Sequence, residues 1–168
     1  MFDTRSIVQI IHDRIEKVRN DIIENMDALK RNASKRSIKS LRIVTVGDDR
    51  AILYGERSFL VMERGRKAGR VPRNFHAIIK QWIIDKGIRV RLIPYKTNRP
   101  HKYTVQERSL NMAAGAIAYN IMTSGTRLHR MQEFDDIFTS SIEKNLEELN
   151  NELIFVASLE IDRIHQTL

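Results

Sequence analysis

The chain has 168 residues, with 29 Lys and Arg, 21 Asp and Glu and no cysteine, and its formal net charge at pH 7 is +8. This length suits one domain of ordinary size, which buries about 70% of its unfolded surface without needing disulfides. The lack of cysteine excludes disulfides, thiolate catalysis and cysteine-ligated metal sites.

The charge is divided unevenly along the sequence. Residues 1–130 contain 27 basic and 12 acidic residues (net +15), whereas residues 131–168 contain 2 basic and 9 acidic residues (net −7). We interpret 1–130 as a basic domain body and 131–168 as an acidic helical extension of the same domain. This pattern favours contact between the tail of one copy and the body of the next, or a partner. The alternative is two solvated faces that never meet, since exposed charges contribute little to binding.

The first segment, residues 4–31, predicts one long amphipathic helix with Asp3 as its N-cap. Such a single stripe is expected to pack within its own domain rather than in a coiled coil. Its apolar positions alternate spacings of three and four residues: Ile7, Ile11, Ile15, Val18, Ile22, Met26 and Leu29.

Residues 38–62 change to the period and composition of strands. "SLRIVTV" is rich in β-branched residues, and "GDDR" at 47–50 is a turn signal, so the segment predicts an antiparallel hairpin or small meander. Ile43 is expected to face one side and Val44 the other. Because both faces are partly apolar, we expect helices to cover at least one of them.

Residues 74–86 predict a helix with a stripe of Ile, Phe and Trp. Gly87 supplies the left-handed position after its end, and Ile88 completes the hydrophobic contact of a Schellman motif. The alternating "IRVRLIPY" at 88–95 predicts a further strand.

Residues 104–124 predict a second central helix. Thr104 and Glu107 form a capping box at its start. Its four alanines and Gly115 allow other elements to approach closely, so we expect this helix to be buried along most of its length.

The acidic segment 131–168 predicts a C-terminal helix. Ser140 and Glu143 form a second capping box, which predicts a helix boundary near 139–141. "LIFVASL" at 153–159 is apolar on more than one side, so it is buried either in its own core or against a neighbouring subunit. The apolar surplus and the charge division together predict an interface at four residues: Glu143, Glu147, Glu148 and Phe155.

The chain carries no motif of an enzyme. Its five histidines share no metal-ligand spacing, and the sequence contains no G-x-S-x-G, P-loop or dinucleotide fingerprint. The adjacent Asp135 and Asp136 diverge by about 100° on a helix, so they are poorly placed to share a site. We therefore expect no enzymatic activity, no cofactor and no metal.

The stretch "ERGRKAGRVPR" at 63–73 is the strongest candidate interaction site. Its "RGRKAGR" is similar to an AT-hook, but Lys67 stands where that motif has proline, and the stretch lies between a strand and a helix. A nucleic-acid-binding arm, an exposed glycine-bearing connection and a protein-docking loop all remain open from the residues alone. The candidate residues are Arg64, Arg66, Lys67, Arg70 and Arg73.

Three stretches give a family resemblance over residues 55 to 130: "ERGRKAGRVP", an Ile/Trp helix ending in "DKGI", and "AAGAIAYNIMTSGT". They resemble the head–tail connector or tail-completion (neck ring) proteins of tailed bacteriophages, and the crAss-like phage type most closely. The matching positions are Glu63, Arg64, Gly65, Arg66, Gly69, Pro72, Trp82, Lys86, Gly87, Ile88, Gly125 and Thr126.

The resemblance implies an α+β fold, with a small antiparallel β-sheet packed against long amphipathic helices and helical N- and C-termini. It implies a non-enzymatic structural protein of the virion neck, present in the host cytoplasm during assembly, with no cofactor and no membrane contact. Six or twelve copies would form a ring between portal and tail, contacting the portal or other neck and tail proteins and the passing double-stranded DNA. The basic stretch would then be an exposed docking surface. The alternative function is that of a small basic nucleic-acid-binding protein.

Overall fold

The structure is a computed structural model that describes residues 7–31, 33–47, 50–97 and 99–166. It confirms the expected α+β class, with a two-stranded antiparallel sheet and long helices at both ends of the described chain. The elements in chain order are α1 (Ile7–Ala28), α2 (Arg36–Ser40), β1 (Arg42–Val46), β2 (Arg50–Tyr54), α3 (Ser58–Arg64), α4 (Phe75–Asp85), α5 (Val105–Ser124), α6 (Arg127–Met131) and α7 (Thr139–Gln166).

Packing divides the chain into two compact units. Unit 1 comprises Met1–Glu63 and Asp136–Leu168, and unit 2 comprises Arg64–Asp135. Unit 1 contains 14 basic and 17 acidic residues (net −3), whereas unit 2 contains 15 basic and 4 acidic residues (net +11). The positive excess of the protein therefore lies in unit 2. The boundary predicted at residue 130 lies where the charge of the sequence changes sign. The division into two units instead follows the contacts between residues.

In unit 1, the two long helices α1 and α7 pack against each other in antiparallel directions. Asn25 near the end of α1 donates to Ser141 in the first turn of α7 at 3.1 Å, whereas Arg14, three turns earlier, contacts Glu152 at 2.9 Å. Helix α1, α3, the hairpin and the turn before α7 surround one apolar core. Its buried members are Ile22, Met26, Leu41, Phe59 and Ile137.

The hairpin lies with one face on this core. Ile43 pairs with Leu53 in the ladder, and Leu53 packs against the core cluster. Val44, on the opposite face, is exposed. The expectation that helices cover at least one face is confirmed, since α1 contacts β2. The N-cap predicted at Asp3 and the turn residues Asp48 and Asp49 lie outside the described residues.

In unit 2, helix α4 packs against helix α5. Ile79 and Ile83 of α4 and Ala114 of α5 form the buried centre. The predicted Schellman ending of α4 is confirmed: the Gly87 N–H donates to the Ile84 carbonyl at 2.9 Å, and the Ile88 N–H donates to the Ile83 carbonyl at 3.0 Å. Local sequence thus determines where α4 ends.

The predicted capping box at the start of α5 is also confirmed. The Glu107 N–H donates to the Thr104 hydroxyl at 3.1 Å, and the Thr104 N–H donates to the Glu107 carboxylate at 3.0 Å. The hydrogen bonds that its carboxylate accepts from Thr104, from the backbone N–H above all and also from the hydroxyl, lower the pKa of Glu107. The expectation that α5 is buried along most of its length is wrong. Within α5, Ala114 is buried but Tyr119 is 63% exposed, because α4 covers one side of the helix.

The prediction of a strand over 88–95 is wrong as well. This segment has no regular structure, and side chains of α5 bind its backbone instead. The Ile93 N–H donates to the Ser109 hydroxyl at 2.8 Å, and the Arg108 guanidinium donates to the Pro94 carbonyl at 2.9 Å. An alternating pattern therefore leads here to an extended segment whose polar groups pair with a helix rather than with a second strand.

Candidate interaction surfaces

The first residue of the basic stretch, Glu63, is a buried helix cap. Its side chain is 0% exposed, and its Oε2 atom accepts the backbone N–H groups of Ile137 (3.3 Å), Phe138 (2.8 Å) and Thr139 (3.3 Å). The Thr139 hydroxyl donates to Oε1 of the same carboxylate. A negative charge therefore meets the N–H groups at the positive end of the α7 dipole.

The prediction of a capping box at Ser140 and Glu143 is wrong, because the Glu63 cap takes its place. Helix α7 begins at Thr139, so Ser140 lies inside its first turn, although the boundary near 139–141 is confirmed. The Ser140 N–H donates to the Asp136 carboxylate at 3.0 Å. The hydrogen bonds from the side chain and backbone of Ser140 lower the pKa of Asp136. Asp136 thus accepts the Ser140 N–H that Glu143 would have accepted in the capping box, and Glu63 of α3 accepts the three N–H groups that precede it.

One of the four acidic and aromatic residues predicted at an interface, Glu148, is paired within its own chain. Lys17 binds its carboxylate at 2.9 Å, and Arg14 of the same helix also binds it. Arg14 contacts Glu152 one turn further along α7 as well. The hydrogen bond from Lys17 is the largest cause of the lowered pKa of Glu148. Glu148 therefore helps to join α1 to α7.

The pairing of Glu148 makes the stability of unit 1 depend on pH. Its carboxyl titrates below its ordinary value of 4.5 in the folded chain, so its contribution is present above that pH and is lost as the pH falls through the folded pKa. We expect Glu148→Gln to lower the melting temperature near pH 7 and to have little effect near pH 3. Thermal melts across this range check the prediction. Glu147→Gln is the control, and an equal Glu148→Gln effect at both ends of the range would contradict the prediction.

Helix α7 also carries an exposed apolar stripe that α1 does not cover. We define the α7 stripe by four side chains, each at least 44% exposed: Ile142, Leu146, Ile154 and Ile161. At about 100° per residue they fall within a sector of about 120°. The same geometry places Glu143 and Glu147, both exposed, along this sector, and it places Glu148 and the exposed Phe155 on another side of the helix. The structure thus brings two of the four predicted interface residues together with the α7 stripe.

The basic stretch is held against the C-terminal end of α5. The Arg66 N–H donates to the Thr126 hydroxyl at 2.8 Å, and the Thr126 N–H donates to the Arg66 carbonyl at 2.9 Å. Further along, the Gly69 N–H donates to the Met122 carbonyl at 2.8 Å. The loop is therefore fixed on a helix end by its own backbone.

Two glycines permit this approach. A Cβ atom on Gly65 would lie 2.5 Å from the Thr126 hydroxyl oxygen, and one on Gly125 would lie 2.6 Å from the Arg66 carbonyl oxygen. Both residues also have positive φ angles, 74° and 75°. Neither position accepts a larger residue without a shift of backbone.

The five predicted basic residues of this stretch have two roles. Arg66 is half-buried: its guanidinium lies 5.6 Å from the Phe75 ring centre and donates to the Arg70 carbonyl, so it supports the loop. The other four are exposed: Arg64, Lys67, Arg70 and Arg73.

Sequence reasoning missed Arg127 and Arg130 of α6, which belong to the same region. A Cβ atom on Gly65 would lie 2.7 Å from the backbone nitrogen of His129, so α6 runs directly beside the start of the basic stretch. About 60 residues separate the two segments in sequence, and no local pattern signals the contact.

Two features are absent from the described residues. Among them, no group of three or more His, Asp or Glu side chains is arranged to hold a metal ion. Among their helices, none combines the length and the apolar character that crossing a membrane requires.

The positions that carry the phage resemblance have structural roles in this chain. Glu63 caps α7, Gly65 and Gly125 allow the close approach of two segments, and Gly87 ends α4. These four positions specify local structure, whereas Arg64 and Trp82, which also carry the resemblance, are exposed. In comparisons with known proteins, the chain matches no protein-family model, no curated protein and no solved structure.

Proposed function

We propose that this chain is a structural protein that forms a ring in the neck of a tailed bacteriophage, between the portal and the tail. The observation that carries the proposal is the α7 stripe, an uncovered apolar face along which Glu143 and Glu147 lie. A helix with apolar residues on two sides buries both sides when it finds a partner. The family resemblance supports the same conclusion.

The partner in this proposal is unit 2 of the neighbouring copy. Helix α7 contains six acidic and two basic residues, whereas unit 2 has a net charge of +11. Unit 2 also exposes Ile78 and Trp82, one turn apart on α4. Opposite charges would set orientation and encounter rate, while the apolar contact supplies most of the affinity. Because the two surfaces differ, the contact is heterologous, and it generates a ring when the rotation closes.

The double variant Leu146→Ser/Ile154→Ser tests the proposal. Both side chains are exposed, so the monomer is expected to keep its melting temperature within a few degrees, whereas assembly is expected to be lost. Light scattering and negative-stain microscopy measure assembly, first with the purified chain and then with the portal. Tyr119→Ser, which removes an equally exposed side chain from unit 2, is the control and should assemble.

Two results would overturn this assignment. Rings that form normally from the double variant would remove the α7 stripe from the interface. A wild-type chain that stays monomeric both alone and with the portal would refute the neck function itself. Deletion of 141–168 is a poor test, because α7 packs on α1 within unit 1 and its loss disrupts that unit.

One observation favours a second candidate, a small basic nucleic-acid-binding protein. Unit 2 carries 15 of the 29 basic residues but only 4 of the 21 acidic ones. Such an imbalance is typical of domains that bind nucleic acid. This function is distinguished by tight, salt-sensitive binding of the monomer to DNA together with no assembly on the portal.

A further inference from the structure

Two segments of unit 2 together present a cluster of exposed cations. The basic stretch and α6 lie side by side, because Gly65 contacts the backbone of α6 and Arg66 is hydrogen-bonded to Thr126. We define the composite basic surface by six exposed residues: Arg64, Lys67, Arg70, Arg73, Arg127 and Arg130. Within the part of the chain that the structure describes, none of the six forms an ion pair.

The acids of unit 2 do little to neutralise this surface. Glu107 caps the start of α5, whereas Arg64, Lys67 and α6 lie at the other end of that 20-residue helix, about 30 Å away. Asp85 accepts a hydrogen bond from Gln81 within α4. Glu133 and Asp135 follow α6 and offset two of the six charges. A substantial positive excess therefore remains.

The scaffold beneath the cations is already ordered. Backbone hydrogen bonds to Met122 and Thr126 fix the basic stretch, and the half-buried Arg66 supports it from within. The carbonyl end of α5 lies beneath it, and the negative end of a helix dipole favours nearby cations. A ligand that binds these side chains therefore has no loop to order, which reduces the entropy cost of binding.

We propose that the composite basic surface binds the phosphate backbone of duplex DNA. Protein–protein interfaces are depleted of charged residues at their centres, whereas DNA interfaces are polar and strongly basic. The basic stretch offers a protein partner little apolar area, since its apolar residues are Ala68, Val71 and Pro72. The contact is independent of sequence, because phosphates carry no base information. The proposal stands whether or not the chain joins a ring.

Fluorescence anisotropy with a labelled duplex of about 20 base pairs tests the proposal on the full chain at several salt concentrations. Arg66 is left unchanged because it supports the loop. The test variant replaces four cations of the surface: Lys67→Ser, Arg70→Ser, Arg127→Ser and Arg130→Ser. The control variant replaces four exposed cations elsewhere in unit 2: Arg89→Ser, Arg91→Ser, Lys96→Ser and Arg99→Ser.

The two variants have the same net charge, so a difference between them reports position. We expect the test variant to lose about 100-fold or more in affinity at low salt. The slope of log K against log salt should fall by about 3 to 4, since each phosphate contact contributes about 0.9. The control should lose much less, and both should melt like the wild type because all the substituted side chains are exposed.

Three results would overturn the proposal. Equal losses in the two variants would show a diffuse charge effect rather than a site. Failure of the wild-type chain to bind the duplex at low salt would exclude duplex DNA as the ligand of this surface. Unchanged duplex binding by the test variant together with its lost self-association would assign the surface to a protein partner instead.

Discussion

Gly125→Ala is expected to destabilise unit 2 by about 3 to 5 kcal/mol. The residue has φ 75° and ψ −178°, a region that is essentially restricted to glycine and that strains any other residue by about 1 to 3 kcal/mol. An added Cβ atom would also lie 2.6 Å from the Arg66 carbonyl oxygen and 3.0 Å from the Ala68 nitrogen. The basic stretch would have to move away, which breaks its paired hydrogen bonds with Thr126.

Urea unfolding followed by tryptophan fluorescence measures this effect. Trp82 is the single tryptophan of the chain and lies in α4, so its signal reports on unit 2. Gly87→Ala is the matched control: Gly87 also has a positive φ, 63°, but no atom lies within 4 Å of its added Cβ. That control should cost about 1 kcal/mol. Equal losses at the two glycines would show that the close approach of the basic stretch contributes nothing to stability.

Glu63→Ala is expected to destabilise unit 1 by about 2 to 4 kcal/mol. The substitution removes the acceptor of three backbone N–H groups and of the Thr139 hydroxyl, in a site that is closed to solvent. It also removes a negative charge from the positive end of α7. The loss therefore combines a missing helix cap with buried donors that no water replaces.

Amide hydrogen exchange locates this effect. Protection of residues 137–139 is expected to fall in Glu63→Ala before protection falls in the middle of α7. Glu63→Gln is the control, because it keeps the shape and one oxygen acceptor, and its loss should be about 1 kcal/mol. If Glu63→Ala unfolds at the same urea concentration as the wild type, the carboxylate does not serve as the cap.

Features encoded within a few residues could be predicted from the sequence. The capping box of α5 involves residues three apart, and the Schellman ending of α4 involves a single turn. The same holds for the hairpin, where a β-branched run and an apolar run are joined by a short connection. In each case the partners of the backbone groups are supplied by neighbours in the chain, so the pattern is visible before the fold is known.

Features that depend on distant partners could not be predicted. The α7 cap comes from Glu63, 74 residues before the first N–H group that it accepts. No local pattern signals so distant an acceptor, so the sequence favoured the capping box at Ser140 and Glu143, and that prediction is wrong. The exposed basic stretch could be predicted as a candidate site from its composition. The participation of Arg127 and Arg130 could not, because it follows from contacts between segments about 60 residues apart. The supporting role of the Arg66 side chain rests on Phe75 and the Arg70 carbonyl, and no sequence pattern distinguishes it from its basic neighbours.

The order of the two units along the chain has a consequence for folding. Unit 1 is made of two pieces, and unit 2 lies between them in the sequence. During synthesis, unit 2 is complete before α7 emerges, so it folds while the side of α1 that α7 covers, with Arg14 and Lys17, still lacks its partner. Contacts between α1 and α7 join residues up to 138 positions apart, which makes them slow to form in an unfolded chain. A folded unit 2 shortens that search, because it replaces a long flexible loop by a compact body with fixed ends.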